Sequence, residues 1–418
     1  MAMSEFPRVK SLKLKNFKGI AELELDFDEC LTLLAGVNGA GKTSVLRALL
    51  AAVTQTWGHL QPVYNYPRFG LPERVPRAGA TRAEIVLGLT LDGRSRVEVQ
   101  YVADQQDQRL IKVGPSQPPR TSEQAPPPLP LVVYYEQGRA FAPDRSGHRV
   151  LVSAEENRKS CLNTTVRSPI EFQSWFFEKE ADESQVVRER NDPQYEDREL
   201  AEVRNLLDSL DGFTAVRSRK VPDRPQRTLF LEKDGANIPF DSLSGGEQAF
   251  FMLAADLARR LMLDSPDRPV AEAPGIVCID EIELHLHPAW QRRILTTLMQ
   301  TFPACQFVVT THSPQVIGGV EARHVRLLTL GEDGVREARQ PIASKGRDSN
   351  YILSGVLDTP EREDEVSRLF AELDDMLDDG DLENAERRLR KLDEAVEGQS
   401  AAVATRQARL NRLRRAAE

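Results

Sequence analysis

The sequence predicts an α/β head built on buried strands, with an antiparallel β subdomain, an inserted helical lobe and a C-terminal helical tail. Three observations predict this. Four short unbroken apolar runs, at Leu31–Ala35, Leu131–Tyr135, Ile276–Ile279 and Phe307–Thr310, have the length of strands covered on both faces. Near the N-terminus, Val9, Leu12 and Leu14 sit among lysines, and Leu23, Leu25 and Phe27 alternate with acids, the period of half-buried strands. From about Thr359 onward, apolar residues recur at helical spacing.

Taken in order, Asn16-Phe17-Lys18-Gly19-Ile20 turns the chain between the first two strands. The Leu31–Ala35 strand runs into a Gly-rich loop, and Ser44 to Leu50 then has helical spacing. Prolines and glycines from about Trp57 to Gly79 predict irregular structure. Ala83 to Val102 reads as a hairpin around Asp92-Gly93, and the Pro-rich stretch Ser116 to Pro130 as a connector. Between Asn157 and Leu210 the chain becomes charged and helical. There Phe172, Trp175 and Phe176 form one apolar stripe, and Leu200, Val203, Leu206 and Leu207 another, the simplest reading being the small core of a helical lobe. Two short strands are expected to bracket Asp234-Gly235, and Phe250 to Leu263 forms an apolar helix. In the tail, Val366, Leu369, Phe370, Leu373 and Leu377 mark one amphipathic helix, and Leu382, Ala385, Leu389 and Leu392 a second after Asp379-Gly380. The tail starts acidic and ends in Arg406, Arg409, Arg412, Arg414 and Arg415. That end is a candidate docking or DNA-contacting surface, with a self-packing helical hairpin as the plainer reading.

Bulk properties exclude several classes. At 418 residues the chain is long enough for two or three domains or lobes, and 40% hydrophobic with 28% charged residues is ordinary for a globular protein with a sizeable core. A net charge of −9 gives no global attraction to nucleic acid, so any such contact requires a local basic patch. Cys30, Cys161, Cys278 and Cys305 are scattered without metal-ligand spacing, as expected of reduced thiols in a cytoplasm. No stretch approaches the roughly 18 apolar residues of a membrane helix, and nothing resembles a signal peptide. The expectation is a cytoplasmic protein without membrane association.

The chemistry is concentrated in four motifs. Gly36-Val37-Asn38-Gly39-Ala40-Gly41-Lys42-Thr43 fits the P-loop pattern G-x-x-x-x-G-K-[ST] and lies between a strand and a helix. Its glycines let successive N–H groups, together with the helix N-terminus at Thr43 and Ser44, close around phosphate oxygens. Lys42 would reach the β- and γ-phosphates of ATP, and the Thr43 hydroxyl would ligate Mg²⁺. The strand Gly275–Ile279 delivers Asp280, a second Mg²⁺ ligand, and Glu281, placed to polarise the attacking water. Leu243-Ser244-Gly245-Gly246-Glu247-Gln248 precedes an apolar helix and offers a second phosphate cradle from Ser244, Gly245 and Gly246. Thr311-His312-Ser313-Pro314 follows directly on the last buried strand. Gln137, just after the strand ending at Tyr135, is placed either to reach Mg²⁺ and the attacking water or as a plain surface residue.

Four motifs in this order, between residues 36 and 314, resemble the ABC ATPases. In that family the Ser-Gly signature reaches the γ-phosphate bound to a second subunit, and a histidine matching His312 contacts the same phosphate. The resemblance thus implies a site completed when two copies meet head to head, with ATP and Mg²⁺ between them. The opening Leu12-Lys13-Leu14-Lys15-Asn16-Phe17-Lys18-Gly19 and the stretch Asp280-Glu281-Ile282-Glu283-Leu284-His285-Leu286-His287-Pro288 resemble the RecF, OLD and SMC-like branch. By that resemblance Lys18 approaches the nucleotide, an equal reading being a solvated turn lysine; His285 and His287 lack a further ligand set for zinc and are read as structural elements of a loop near the dimer interface.

Gly36 and Leu243 are too far apart for a compact transporter subunit and too close for long coiled-coil arms, so an inserted lobe is implied. The expected division is 1–140 and 228–355 for the two parts of the head, 141–227 for the lobe and 356–418 for the tail. Phe172-Gln173-Ser174-Trp175-Phe176, Leu200-Ala201-Glu202-Val203-Arg204, Trp290-Gln291, the stretch Phe302 to Pro314, Asp348-Ser349-Asn350-Tyr351-Ile352-Leu353 and Gly380 to Glu386 together resemble the PtuA ATPases of Septu and retron anti-phage systems. Gly245 departs from that group, which often has an acid there. The resemblance implies an ATPase whose nucleotide-driven dimerisation, or higher assembly, regulates a defence complex with an HNH endonuclease partner, with DNA or RNA as a further contact. The alternative is a RecF-like DNA repair or recombination ATPase.

Overall fold

In the computed structural model, β1 (Arg8–Phe17) and β2 (Ile20–Asp26) pair antiparallel, with Leu12 opposite Leu25 and Leu14 opposite Leu23. The period-2 alternation buries these leucines and leaves Lys13, Lys15, Glu22 and Glu24 on the outer face. The structure describes residues 6–61, 66–71, 75–91, 95–104, 111–113, 128–137, 154–162, 168–210, 212–222, 227–331, 336–359, 364–396 and 400–417. The Asp92-Gly93 turn and residues 116–127 of the Pro-rich stretch lie outside the described residues. The hairpin flanking that turn is present as β4 (Arg82–Thr90) and β5 (Arg96–Asp104). With β6 (Ile111–Val113) these strands form an antiparallel sheet in the order β2-β1-β4-β5-β6.

All four apolar runs become strands of one six-stranded sheet. β3 (Leu31–Ala35), β7 (Leu131–Tyr135), β11 (Gly275–Ile279) and β12 (Cys305–Thr311) are buried along their whole length. With β13 (Val325–Leu330) and β14 (Arg336–Arg339) the order is β14-β13-β3-β12-β11-β7. Every neighbouring pair is parallel except the edge pair β13–β14. α1 (Lys42–Leu60) lies in the core shared by this sheet and the antiparallel one, which Val45, Leu46, Leu49, Val53 and Trp57 fill.

A third sheet, β10-β9-β8, comprises β8 (Thr214–Lys220), β9 (Arg227–Lys233) and β10 (Ala236–Pro239). Asp234 (φ 52°) and Gly235 (φ 74°) make the two-residue left-handed turn between β9 and β10. β8 was not expected, because only Val216 and Ser218 of it are buried and arginine and lysine fill its outer positions. The lobe helices α2 (Ala154–Cys161), α3 (Ser168–Arg190) and α4 (Arg198–Asp208) pack on α5 (Gly245–Asp264), and both expected apolar stripes are buried. Arg259 and Arg260 of α5 are fully buried and share Asp256 and Glu171, while the Tyr135 hydroxyl donates to Asp256 at 2.9 Å. The strand β7 and the helix α5 are therefore joined by a buried charged hydrogen bond. The short helices α6 (Pro288–Gln291), α7 (Ile294–Thr301) and α8 (Pro314–Gly318) complete this unit, which spans Met1–Arg347.

The second unit spans Asp348–Glu418 and begins with the short α9 (Ser349–Tyr351). α10 (Asp364–Asp378) and α11 (Leu382–Ala395) are the two expected helices, and a third, α12 (Ala401–Ala417), joins them. Their core is Phe370, Leu373, Leu377, Ala385, Leu389, Leu392, Val403 and Leu410. The tail is thus a three-helix unit and not a hairpin. α12 escaped sequence reading because arginines crowd its sparse apolar positions. Arg406 binds Asp374 through two nitrogens at 2.9 and 2.5 Å, Arg409 meets Asp378, and Arg414 meets Glu386. The acidic start and basic end of the tail therefore pair with each other, which removes three of the five arginines from a free basic patch.

Candidate functional site

β3 lies between β12 and β13 in the parallel sheet, so the Gly36–Gly41 loop emerges at the C-terminal edge of the central strands, beside those that carry Asp280 and His312. Gly36 (φ 150°) passes so close to β13 that a Cβ there would stand 2.6 Å from the Leu328 carbonyl oxygen. Gly41 (φ 99°) caps α1 in a left-handed conformation. Val37, Asn38 and Gly39 are exposed, Ala40 is buried and Ser44 half-buried, so the rim of the loop faces outward. Lys42 is buried and its Nζ donates to the carbonyls of Gly36 (2.7 Å) and Val37 (3.1 Å), curling across the mouth of the loop. Burial pulls its ammonium below the usual lysine value, and Glu283, Glu281 and Asp280, in that order, partly offset the shift. The first turn of α1 itself carries no acid that would compete with an anion for its free N–H groups.

Asp280 is held at the end of β11 by its N–H, which donates to the Tyr135 carbonyl. Its Oδ1 accepts from the Thr310 hydroxyl at 2.5 Å and the Thr43 hydroxyl at 3.2 Å. Its Oδ2 is buried and has no hydrogen-bond partner. A buried carboxylate oxygen left open beside a hydroxyl at the foot of a phosphate-type loop suits a hard divalent cation that takes oxygen ligands. Glu281 follows with φ 49°, a strained value for a non-glycine residue, fixed by its N–H donating to the Thr310 hydroxyl at 2.8 Å. Gln137 Nε2 donates to Glu281 Oε2 at 2.7 Å. The strand β7 therefore brings Gln137 to the acid pair.

His312 leaves the end of β12 with its ring about half exposed. Glu283, which the sequence reading passed over, accepts the His312 backbone N–H at 2.7 Å and lies 3.0 Å from His312 Nδ1 with the same oxygen. His285 stands at φ 67°, and His287 caps α6 through its Nδ1. Gln291 bridges this loop to the next, donating to the Leu286 carbonyl and accepting from the Ser313 hydroxyl.

Ser244 caps α5 in a reciprocal box with Glu247, whose other oxygen pairs with Lys233. Ser244 and Gly245 are exposed, and a Cβ on Gly245 would meet nothing within 4 Å. Gly246 is buried, and a Cβ there would stand 3.0 Å from His287 N and 3.2 Å from His285 O. Gly246 packs on the loop that carries Glu283, while Ser244 and Gly245 stand exposed at the helix N-terminus.

A second residue not anticipated is Arg336. Its Nε donates to the Ala40 carbonyl at 3.1 Å, and its Nη1 is buried without a hydrogen-bond partner. Burial, then Arg77, lower its pKa from the usual arginine value. Backbone bonds from Lys18 to Val75 and from Arg77 to Asn16 tie the N-terminal turn to residues 75–77, and a Cβ on Gly41 would stand 3.5 Å from Ile20, just past that turn, and 3.7 Å from Arg336. Burial, then Arg47, lower the Lys18 pKa. No sequence signal could have found Arg336, which lies 296 residues from Ala40 on an edge strand.

Comparison with known proteins follows the same lines. A family described as "AAA domain, putative AbiEii toxin, Type IV TA system" matches residues 31–318. The retron Ec83 probable ATPase of Escherichia coli is 25% identical over 87% of this chain and 79% of its own length. The Septu protein PtuA of Bacillus thuringiensis is 23% identical over 79% of this chain and 78% of its own. The OLD nuclease of Thermus scotoductus is 24% identical, covering 85% and 69%. Among solved structures, an SMC head domain from Thermotoga maritima covers 80% of this chain and 98% of its own length at a TM-score of 0.46 and 18% identity.

Proposed function

The chain belongs to the family of AAA domains described as putative AbiEii toxins of type IV toxin–antitoxin systems, and from this we propose that it is an ATPase whose site closes between two copies and switches a defence complex. The observation that carries the reading is Asp280 Oδ2, buried and unpartnered beside the Thr43 hydroxyl at the foot of the Gly36–Thr43 loop. Thr43 and Asp280 would hold Mg²⁺, which supplies charge neutralisation for the β- and γ-phosphates. Loop N–H groups from Gly36, Asn38, Gly39, Gly41, Lys42, Thr43 and Ser44 would surround the phosphates, and the Ala40 N–H, which donates to the Val37 carbonyl at 3.2 Å, would join them once that bond opens. Lys42 exchanges its two loop carbonyls for phosphate oxygens. Glu281, oriented by Gln137 and Thr310, takes the proton from the attacking water. His312 faces the terminal phosphate, which would be capped by Ser244 and Gly245 of the second copy. Both of those residues stand exposed at a helix N-terminus.

In this scheme bound ATP joins two heads and hydrolysis releases them, so the paired state is the signal. The resemblance to PtuA proteins and the retron ATPase supports an anti-phage role beside an HNH endonuclease, within a head-to-head homodimer or a larger assembly. No helix among the described residues is long and apolar enough to cross a membrane. The test mixes Lys42→Ala with Ser244→Arg protein. Each alone is expected to be inactive, and the mixture to regain part of the wild-type rate because one of its two composite sites is intact. A mixture as dead as its components would reject the shared site. Glu281→Gln is expected to bind ATP and lose turnover by a factor on the order of 100 or more.

A further inference from the structure

Glu283 is a buried carboxylate two residues beyond the acid pair, on the loop between β11 and α6. Its Oε1 is shared by the His312 backbone N–H (2.7 Å) and His312 Nδ1 (3.0 Å). Its Oε2 is buried and has no hydrogen-bond partner. Of the three acids acting on the Lys42 ammonium, it has the largest effect. A carboxylate in this place does two things to an imidazole. It holds the proton on Nδ1, which leaves Nε2 as the free nitrogen of a half-exposed ring, and it fixes the ring by gripping side chain and backbone through one atom. A buried acid with one oxygen unpartnered is otherwise a cost to the fold.

We propose that Glu283 is a positioning residue for hydrolysis, setting the tautomer and direction of His312 so that Nε2 meets the terminal phosphate of ATP. This rests on the reading of His312 as the phosphate-facing histidine. A role in structure alone would be to satisfy the His312 N–H, and a glutamine can do that with its carbonyl oxygen.

The experiment is a double-mutant cycle in the full chain, with kcat and KM measured for wild type, Glu283→Gln, His312→Ala and the pair, alongside melting curves. Glu283→Gln is expected to lower kcat about 10–100-fold, the usual loss when the group orienting a functional histidine is removed, with KM within about threefold. The double variant should be no slower than His312→Ala, since Glu283 acts through the ring. In parallel, ¹⁵N-histidine spectra should show one ring, assigned by its loss in His312→Ala, as a fixed Nδ1–H tautomer that becomes a mixture in Glu283→Gln. If His312→Ala keeps the wild-type kcat, the underlying assignment of His312 fails. If His312→Ala is impaired but Glu283→Gln is not, or if the two losses multiply, the proposal for Glu283 is overturned while that assignment stands. A Glu283→Gln chain that unfolds is replaced by Glu283→Asp, which keeps the charge and shortens the reach. An unchanged tautomer signal together with an unchanged kcat in that variant would also overturn it.

Discussion

Adding one methyl group at Gly246 tests the packing of the signature turn on the acid-pair loop. The new carbon would sit 3.0 Å from His287 N and 3.2 Å from His285 O, both backbone atoms. Favourable contacts lie at roughly 3.5–4.0 Å, so the loop must retreat by about half an ångström. It has little freedom to do so, because His285 already occupies φ 67° and Gln291 ties Leu286 to Ser313. Overpacking of this kind costs about 1–3 kcal/mol, and replacing glycine by alanine in a helix returns about 0.5–1 kcal/mol. Gly246→Ala should therefore destabilise the chain by about 1–2 kcal/mol. Gly245→Ala, one residue earlier, meets nothing within 4 Å and should be neutral or stabilising by up to about 1 kcal/mol. At about 2 °C per kcal/mol for a unit of this size, the two melting temperatures should separate by roughly 2–6 °C, measured by calorimetry without nucleotide. Equal shifts in both variants would refute the packing argument. If a second copy meets this turn, the more stable Gly245→Ala chain should nevertheless have the lower ATPase rate of that variant and wild type.

Three further outcomes follow from the site and its surroundings. Asp280→Asn keeps an oxygen for the Thr43 and Thr310 hydroxyls but removes the open carboxylate oxygen; nucleotide affinity measured with and without EDTA should lose most of its Mg²⁺ dependence, on the order of 100-fold. Burial pushes the Cys161 thiol up to about 11 and Cys305 up to about 12, and raises Cys278 further; it raises Cys30 as well, but that residue is only partly buried while the other three are buried. Ellman titration at pH 8 should thus count one thiol in the folded chain and four in guanidinium. Asp28 is partly buried, which would raise its pKa, but His324 and the N–H groups of Cys30 and Leu31 outweigh this and hold it well below the usual range. Its folded value lies below the unfolded one, so its stabilisation is complete above about pH 4 and fades as pH falls below that. Asp28→Asn should cost about 1–2 kcal/mol in urea melts at pH 7, with the gap closing towards pH 2.

What the sequence makes legible here is what local patterning encodes. The buried strands announce themselves because both faces are apolar, and the Gly36–Thr43 loop, Asp280-Glu281 and Ser244–Gly246 because their chemistry needs fixed residue types at fixed spacing. β8 and α12 were not legible, since a few buried side chains stabilise each and arginine or lysine covers the rest. Glu283 and Arg336 were hidden for a different reason. Their partners, His312 and Ala40, are 29 and 296 residues away, and only the strand order brings them together. Gln137 stood between the two cases: its position after a strand was visible, while its bond to Glu281 required the parallel pairing of β7 with β11.

The segment from Glu281 to His287 is where these separate contributions meet. Gln137 holds its first residue, Glu283 holds His312, Gly246 presses on its last turn, and Gln291 fastens it to Ser313. Two of its residues, Glu281 and His285, sit in left-handed backbone, which costs on the order of 1–3 kcal/mol each and persists because contacts on several sides enforce it. A loop so constrained moves as a piece. Displacing it at Gly246 should therefore disturb the Glu283–His312 contact, although no atom of Gly246 touches either residue's side chain in the contacts described. The turnover of Gly246→Ala should fall by more than its lost stability explains. The comparison is made at a temperature where both chains are fully folded, so that unfolding contributes nothing to the difference. A kcat equal to wild type there would show that the loop yields locally and that the signature turn and the histidine are not coupled through it.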